Sequence, residues 1–320
     1  MSLIRTSRMV AAAALASSLL AGQALAQTKL VAGIAAYNEA LLPIHTAEQK
    51  GYLKEAGLTL ELVTFKGGGP AVQALVGGSI DLCLCAADHV VRLRSRRQPA
   101  RILVGLDGFH SYALLAKGDA PYVDLAGLKG RRIGVTSPGS LTDNTLQWAI
   151  RKAGLRPDRD FEIIGAGSGA AMQAAIDSGQ VAAGLLITTD AVAMLRKAGA
   201  YRVVVDYRTM PYPSFDAIAL ESWIGSHRPA AQGFVRAVSR AIADLRADPA
   251  LAAAVTRTMY PDFPADLVQE VARSAVSRMP EGGTVSSESI ATMNAILLAA
   301  DDSLKPVTLQ DVYDASLSDR

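Results

Sequence analysis

Short β-branched runs alternate with segments of helical length along this chain, and the alternation is run through twice. Leu30 to Ile34 reads as a strand, Pro43 to Glu55 as a helix, Leu58 to Phe65 as a strand with polar residues interleaved, Ala71 to Val76 as a helix, and Ile80 to Cys85 as a wholly apolar strand. Arg132 to Val135, Leu141 to Lys152, Phe161 to Ile164, Ala170 to Ile176 and Ala183 to Ile187 repeat that order. Strands separated by helices of this length form βαβ units, so each half should be a mainly parallel sheet flanked by helices. Three landmarks recur with it. Ala56-Gly57-Leu58 matches Ala153-Gly154-Leu155, Ala71 to Ala74 matches Ala171 to Ala174, and Asp88 matches Asp190, at offsets of 97, 100 and 102 residues. The reading is two similar α/β lobes, from a duplication or from a shared folding plan.

Around Arg202 the rhythm changes. Arg202 to Val205 reads as a strand, Met210 to Ser214 as a loop, and Phe215 to Leu220 as a strand again. Beyond them Ala230 to Arg246, Pro264 to Arg278 and Ser287 to Ala300 are helical, with breaks at Asp248-Pro249 and at Pro280 to Gly283. Tyr112 to Lys117 would carry the chain into the second lobe and Phe215 to Leu220 would carry it back, with the last helices covering the first lobe. Two such crossovers make a hinge. The expected organisation is residues 27–112 and 214–320 for a discontinuous lobe 1, and 113–213 for lobe 2.

Residues 1–26 carry Arg5 and Arg8, an apolar run from Met9 to Leu20 too short to span a bilayer, and Ala24-Leu25-Ala26. That is the pattern of a cleavable secretion signal, with cleavage expected after Ala26 and a periplasmic mature chain. The full chain holds 32 basic and 30 acidic residues, and loss of Arg5 and Arg8 leaves 30 of each. A nucleic-acid binder needs a basic excess, so that class is set aside. The only cysteines, Cys83 and Cys85, read as strand residues aimed at opposite faces, and are expected to be small core residues that do not bridge. His45, His89, His110 and His227 lack metal-ligand spacing, and no metal or cofactor is called for.

In open parallel sheets ligands lie beyond the carboxyl ends of the strands. The residues there are Tyr37 and Asn38, then Lys66 to Pro70 with Gly67 and Gly68, and then Ala87 and Asp88. The second half offers Ser137, Ser140, Leu141 and Thr142, the run Gly165 to Gly169, and Thr188 and Thr189. Ser140 and Asp143 fit a capping pattern. With Ser137, Gly139 and Thr142 they also make a helix N-terminus edged by hydroxyls, which suits an anionic or strongly polar group. The glycines permit close backbone approach, or simply form the turn into Pro70. Tyr37 could stack on a ligand or pack at a lobe interface.

Two resemblances to catalytic motifs fail. Gly165, Gly167 and Ala170 satisfy G-x-G-x-x-[GA], but this is not the first unit of a sheet and the acidic residue on the next strand is missing. Ser168 lies in A-G-S-G-A rather than G-x-S-x-G, and no carboxylate pair stands out as acid and base; Asp88, Asp143, Asp190 and Asp216 read as caps or strand-end residues. The sequence offers binding loops without catalytic apparatus.

At this point Ala47 to Leu58 (AEQKGYLKEAGL), Gly78 to Leu82 (GSIDL) and Asp124 to Val135 (DLAGLKGRRIGV) leading into Ser137 to Ser140 can be compared with known proteins. The chain resembles, from about Leu30 to Ala247, the periplasmic substrate-binding proteins of ABC importers of the nitrate, sulfonate and taurine type, which include thiamine-precursor binders. It departs at Gly179 to Ala183, where that family usually has an acidic residue before the alanine. The resemblance implies a two-lobed periplasmic-binding-protein fold of type II, closing on one small molecule and presenting it to a membrane permease and, through that, its ATPase, with the protein acting as a monomer. It places ligand contacts at Tyr37, Asn38, Gly67, Gly68, Ala87, Asp88, Ser137, Ser140, Leu141, Thr142, Thr188, Thr189, Tyr212 and Ser214. A small organic or inorganic anion is expected, although these loops contain no arginine and only Lys66 as a cation. An enzyme on the same fold acting on a thiamine-pyrimidine-like metabolite is the alternative, and a sensor subunit a third class.

Overall fold

A computed structural model describes residues 27–318, so the expected secretion signal and its cleavage point lie outside the described residues. The chain runs β1 (Thr28–Ile34), α1 (Leu42–Gln49), α2 (Tyr52–Glu55), β2 (Leu58–Thr64), α3 (Gly68–Val76), β3 (Leu82–Cys85), α4 (Asp88–Ser95) and β4 (Ala100–Phe109). It continues with β5 (Tyr112–Lys117), β6 (Arg132–Val135), α5 (Leu141–Lys152), α6 (Pro157–Asp160), β7 (Glu162–Gly165), α7 (Ala170–Asp177), β8 (Ala183–Ile187), α8 (Thr188–Leu195) and β9 (Tyr201–Asp206). Then come β10 (Pro211–Leu220), α9 (Glu221–Ser226), α10 (Arg228–Ala247), α11 (Pro249–Met259), α12 (Ala265–Arg278), α13 (Ser287–Ala300) and α14 (Leu309–Val312).

Two five-stranded sheets result, ordered β2-β1-β3-β10-β4 and β7-β6-β8-β5-β9. In the first, β1 pairs parallel with β2 and β3, and β10 runs antiparallel between β3 and β4. In the second, β6 pairs parallel with β7 and β8, and β5 runs antiparallel between β8 and β9. Each sheet thus holds three parallel strands, then a strand that has just crossed from the other sheet, then an edge strand. The chain changes sheet twice, at residues 110–111 and 207–210, which are the two crossovers of a two-lobed α/β fold.

The repeated landmarks have structural reasons. Gly57 and Gly154 both adopt left-handed backbone, φ +72° and +76°, just past the end of a helix, where an L side chain would be strained. The Ala-x-Gln-Ala pairs lie on α3 and α7, and Asp88 and Asp190 lie in the first turns of α4 and α8.

The long α10 shows what fastens helices to the first sheet. Phe234, Val238, Ile242 and Leu245 repeat at helical spacing and are fully buried against that sheet and α1. Asp248 ends α10 and caps α11, its carboxylate accepting from the N–H groups of Ala250 (2.9 Å) and Leu251 (3.1 Å).

Several expectations need correction. The helix expected over Pro43 to Glu55 breaks at Gly51, whose φ of +77° stops α1. Between Cys85 and Tyr112, where the sequence pattern assigns no element, lie α4 and the buried strand β4. Tyr212 to Ser214 are not a loop but the start of β10, opposite register shifts against β4 that bend the strand. The last helices do not cover the first sheet alone: α13 packs on β10 and also on α5 of the second half. Cys83 and Cys85 are joined in a disulfide, with Cα atoms 5.5 Å apart. Residues two apart on a strand share a face, so both sulfurs lie on the same side of β3 and the opposite-face expectation was mistaken.

Candidate functional site

The carboxyl ends of β1, β3 and β6 point into one gap between the two sheets, where a small cavity of about 30 Å³ is enclosed. Ala35, Ala36, Gly67, Gly68, Ala86 and His89 form the wall from the first half. Thr136, Ser140 and Leu141 form the wall from the second, and Tyr112, Ser214 and Phe215 close it beside the crossovers. A space of this size holds about one water, so a solute of several heavy atoms enters only if the lobes separate.

Of the fourteen residues expected from sequence, Gly67, Gly68, Ser140, Leu141 and Ser214 line this cavity. Gly67 (φ +104°) faces Ser137 of the opposite half so closely that an added Cβ would lie 3.3 Å from its Oγ, and Gly68 abuts the His89 ring. Replacing Gly67 by Ala forces an L residue into that backbone region, at an expected cost of about 1–3 kcal/mol. A lowered urea midpoint in Gly67→Ala is the check; an unchanged midpoint contradicts the backbone assignment.

The other nine lie off the cavity lining, and most have structural partners. Tyr37 is 42% exposed and packs against His45 and Tyr260. Asn38 is buried as a cap, accepting from Ala40 N and donating to Ala36 O, both at 2.8 Å. Ala87 donates its N–H to Pro213 O at 3.1 Å. Among the described residues the buried Ser137 Oγ has no partner, and Tyr212 is wholly buried with its hydroxyl equally unpaired. Thr142 accepts from Thr136 N at 2.9 Å and is bonded to the hydroxyls of Thr136 (2.9 Å) and Ser140 (2.8 Å). The hydroxyls at the start of α5 are therefore largely spent on one another, and Asp143 takes the Gly139 N–H at 2.7 Å.

Three of the nine fasten one half to the other or to a crossover. Asp88 accepts from Asn144 Nδ2 at 2.9 Å, while Arg92 donates to Asn144 Oδ1 at 2.8 Å. Thr188 donates to Ser111 O at 3.0 Å. Thr189 donates to Glu39, a carboxyl buried at the start of the first half. Burial raises the Glu39 pKa above the ordinary carboxylate range, against the lowering effects of the Thr189 bond and the Arg278 charge. Asp190 beside it is pushed up to about 6, first by burial and then by Glu39.

Sequence reasoning missed the acid-rich setting of Tyr112, whose phenol is held protonated by burial with the charges of Asp190, Glu39 and Asp88 behind it. It also missed His89, although that residue directly follows the flagged Asp88. His110 in the first crossover is fully buried among the rings of Tyr112, Tyr207 and Tyr212. Burial, reinforced by the Arg278 charge, takes its pKa down to about 3. The neutral ring therefore accepts from Tyr112 N at Nδ1 (3.2 Å) and donates from Nε2 to Thr145 Oγ1 (2.8 Å).

Arg278, the last residue of α12, ties the crossovers to the first sheet. It donates to Phe109 O (2.9 Å), His110 O (3.2 Å) and Arg208 O (2.8 Å), and pairs with the buried Asp107 at 2.6 Å. Asp107 in turn accepts from Ser111 Oγ at 2.7 Å, and Ser111 meets Ser214 Oγ of the cavity wall at 2.6 Å. Among the described residues no cluster of three or more His, Cys, Asp or Glu is placed to hold a metal, and no helix is long and apolar enough to cross a membrane.

Two lobes with a cleft at their strand ends and two crossovers define the periplasmic-binding-protein fold. A protein of Bordetella bronchiseptica RB50 shares it at a TM-score of 0.80, with 24% identity over 91% of this chain and 96% of that one. The aliphatic sulphonate binding protein SsuA of Escherichia coli does so at 0.66, with 21% identity over 91% and 99%. The chain belongs to the NMT1/THI5-like family, whose profile matches residues 38–252. Among curated relatives, YtlA of Bacillus subtilis, described as a binding protein, is 23% identical over 205 residues, which are 62% of this chain and 60% of YtlA. A 4-amino-5-hydroxymethyl-2-methylpyrimidine phosphate synthase of Saccharomyces cerevisiae, THI12, is 26% identical over 142 residues, 43% of this chain and 41% of the yeast protein.

Proposed function

We propose that this chain is the solute-binding component of an ABC import system, taking a small anion of the sulfonate, nitrate or taurine class into the interlobe cleft and delivering it to the permease. The observation that carries the reading is the cavity itself, with walls from both halves and with Tyr112, Ser214 and Phe215 closing it beside the crossovers. A solute held there touches both lobes only when they are closed, and that difference in affinity shifts the population toward the closed form. The permease, with its ATPase behind it, reads closure. SsuA, which has the same fold, is named for sulphonate binding.

Within that class the walls favour an anion that also carries an amine. Ser140 and Thr136 stand on one side at the α5 N-terminus, whose dipole favours an anion. Tyr112 closes the other side, and the charges of Asp190, Glu39 and Asp88, which lie off the cavity lining, act on it from behind. An aminosulfonate satisfies both.

The lobes are taken as 27–112 with 214–320, and 113–213. The mature protein is a periplasmic monomer that starts at Gln27 after cleavage. A purified exported chain is expected to have the intact mass of residues 27–320; retention of Met1 in the cytosol would favour the enzyme reading instead.

A thermal-shift panel of taurine, alkanesulfonates, nitrate, aromatic acids and pyrimidines tests the ligand class. The cognate solute at 100 times its Kd stabilises by about 2.7 kcal/mol. A shift with a neutral pyrimidine and with none of the anions would overturn the anion reading.

A further inference from the structure

A second cavity, of about 290 Å³, lies between the β4–β10 pair and the turn joining α12 to α13, and shares no lining residue with the interlobe cavity. Asp216, at mid-strand on β10, lines it at only 1% exposure, and among the described residues neither carboxyl oxygen has a hydrogen-bond partner. Two unpartnered acceptors on one buried side chain are rare in a folded protein, because each forfeits the hydrogen bonds it had in water. Gly105 lies directly across the ladder, and a Cβ there would meet Asp216 Oδ1 at 3.4 Å and Pro280 Cγ at 3.2 Å, so the glycine keeps this corner open.

The charges around the cavity do not balance. Asp107, Asp216 and Glu288 line it as acids, and among the described residues the one lining cation is Arg278, already committed to Asp107 and to three backbone carbonyls. Burial, with the charges of Asp107 and Asp88 behind it, raises the Asp216 pKa far above the ordinary carboxylate range, as befits a buried acid lacking a countercharge. Phe109, Pro280 and Val285 add apolar wall beside it.

We propose that this cavity is a second binding site, for a short organic ammonium whose charged nitrogen is held by Asp216 and whose alkyl stem packs on the apolar wall. The site is independent of the solute cleft, so its test does not depend on what the cleft binds. Calorimetric titration of the purified protein with n-propylammonium, n-propanol and potassium chloride is the experiment, repeated on Asp216→Asn and on Asp190→Asn.

The expected result is saturable binding of n-propylammonium alone, weakened at least tenfold in Asp216→Asn and unchanged in Asp190→Asn. Circular dichroism of Asp216→Asn checks that it folds; Glu288→Gln, at the wall rather than between the strands, is expected to weaken binding less and serves if Asp216→Asn does not fold. Equal binding of propanol or of potassium, or full binding in Asp216→Asn, overturns the proposal, as does absence of binding in the unaltered protein.

Discussion

Replacing Arg278 by Met lowers the unfolding free energy by about 3–5 kcal/mol, the largest single-site loss expected in this chain. The side chain is 8% exposed, so little of its interaction is screened by water. Its removal leaves Asp107, itself 2% exposed, as a buried charge with only Ser111 Oγ and Phe109 N to bond it. It also unties three carbonyls, Phe109 at the end of β4, His110 in the first crossover and Arg208 in the second. The effect is read as a shift in the urea midpoint at pH 7. Adding Asp107→Asn to Arg278→Met removes the stranded charge and is expected to recover part of the loss. A cost below about 1 kcal/mol for Arg278→Met would place the pair among weak surface bridges and contradict its role at the crossovers.

The second large effect is pH-dependent and belongs to Asp190. Its folded pKa of about 6 lies above the ordinary value of 3.8, so between these values the folded protein holds a proton that the unfolded chain has released. Stability contributed by this group therefore falls as pH rises from 4 to 6 and stays at its lowest above that. Asp190→Asn removes the dependence. Without solute, the variant should match the unaltered protein near pH 4 and exceed it at pH 7.5, by about 3 kcal/mol if the whole shift is realised. Glu39 and Asp216 are shifted in the same direction, so the comparison is between the two proteins at each pH rather than along either curve alone. Equal stabilities at pH 7.5 would mean that Asp190 is better solvated than its position beside Glu39 implies.

These effects also show what the sequence could reveal. The doubled strand and helix rhythm was readable because it is local: β6, α5, β8 and α13 have the expected bounds, and the landmark glycines mark real helix ends. The return crossover was readable as a break in that rhythm near Arg202. β4 escaped because Gly105, Asp107 and Gly108 dilute its apolar run, and a strand buried on both faces owes its form to its neighbours β10, α10 and α12 rather than to its own propensity. Tyr212 and Ser214 looked like loop residues because prolines flank Tyr212, yet a bulged strand accommodates them.

The site was readable only as a set of loops. Hydroxyls at Ser137, Ser140 and Thr142 suggest a receptor for an anion, but only the fold reveals that Ser140 and Thr142 bond each other and Thr136. Glu39 carried no signal at all, since its meeting with Thr189 joins residues 150 apart in sequence. Arg278, 171 residues from Asp107, was hidden for the same reason.

Equilibrium dialysis against taurine and the other sulfonates, with mass spectrometry of both chambers, tests the central claim most directly. Capture without chemistry predicts about one equivalent of a single solute on the protein side, released on denaturation at its original mass. A product of altered mass in either chamber, or no retention of any small anion, would contradict it.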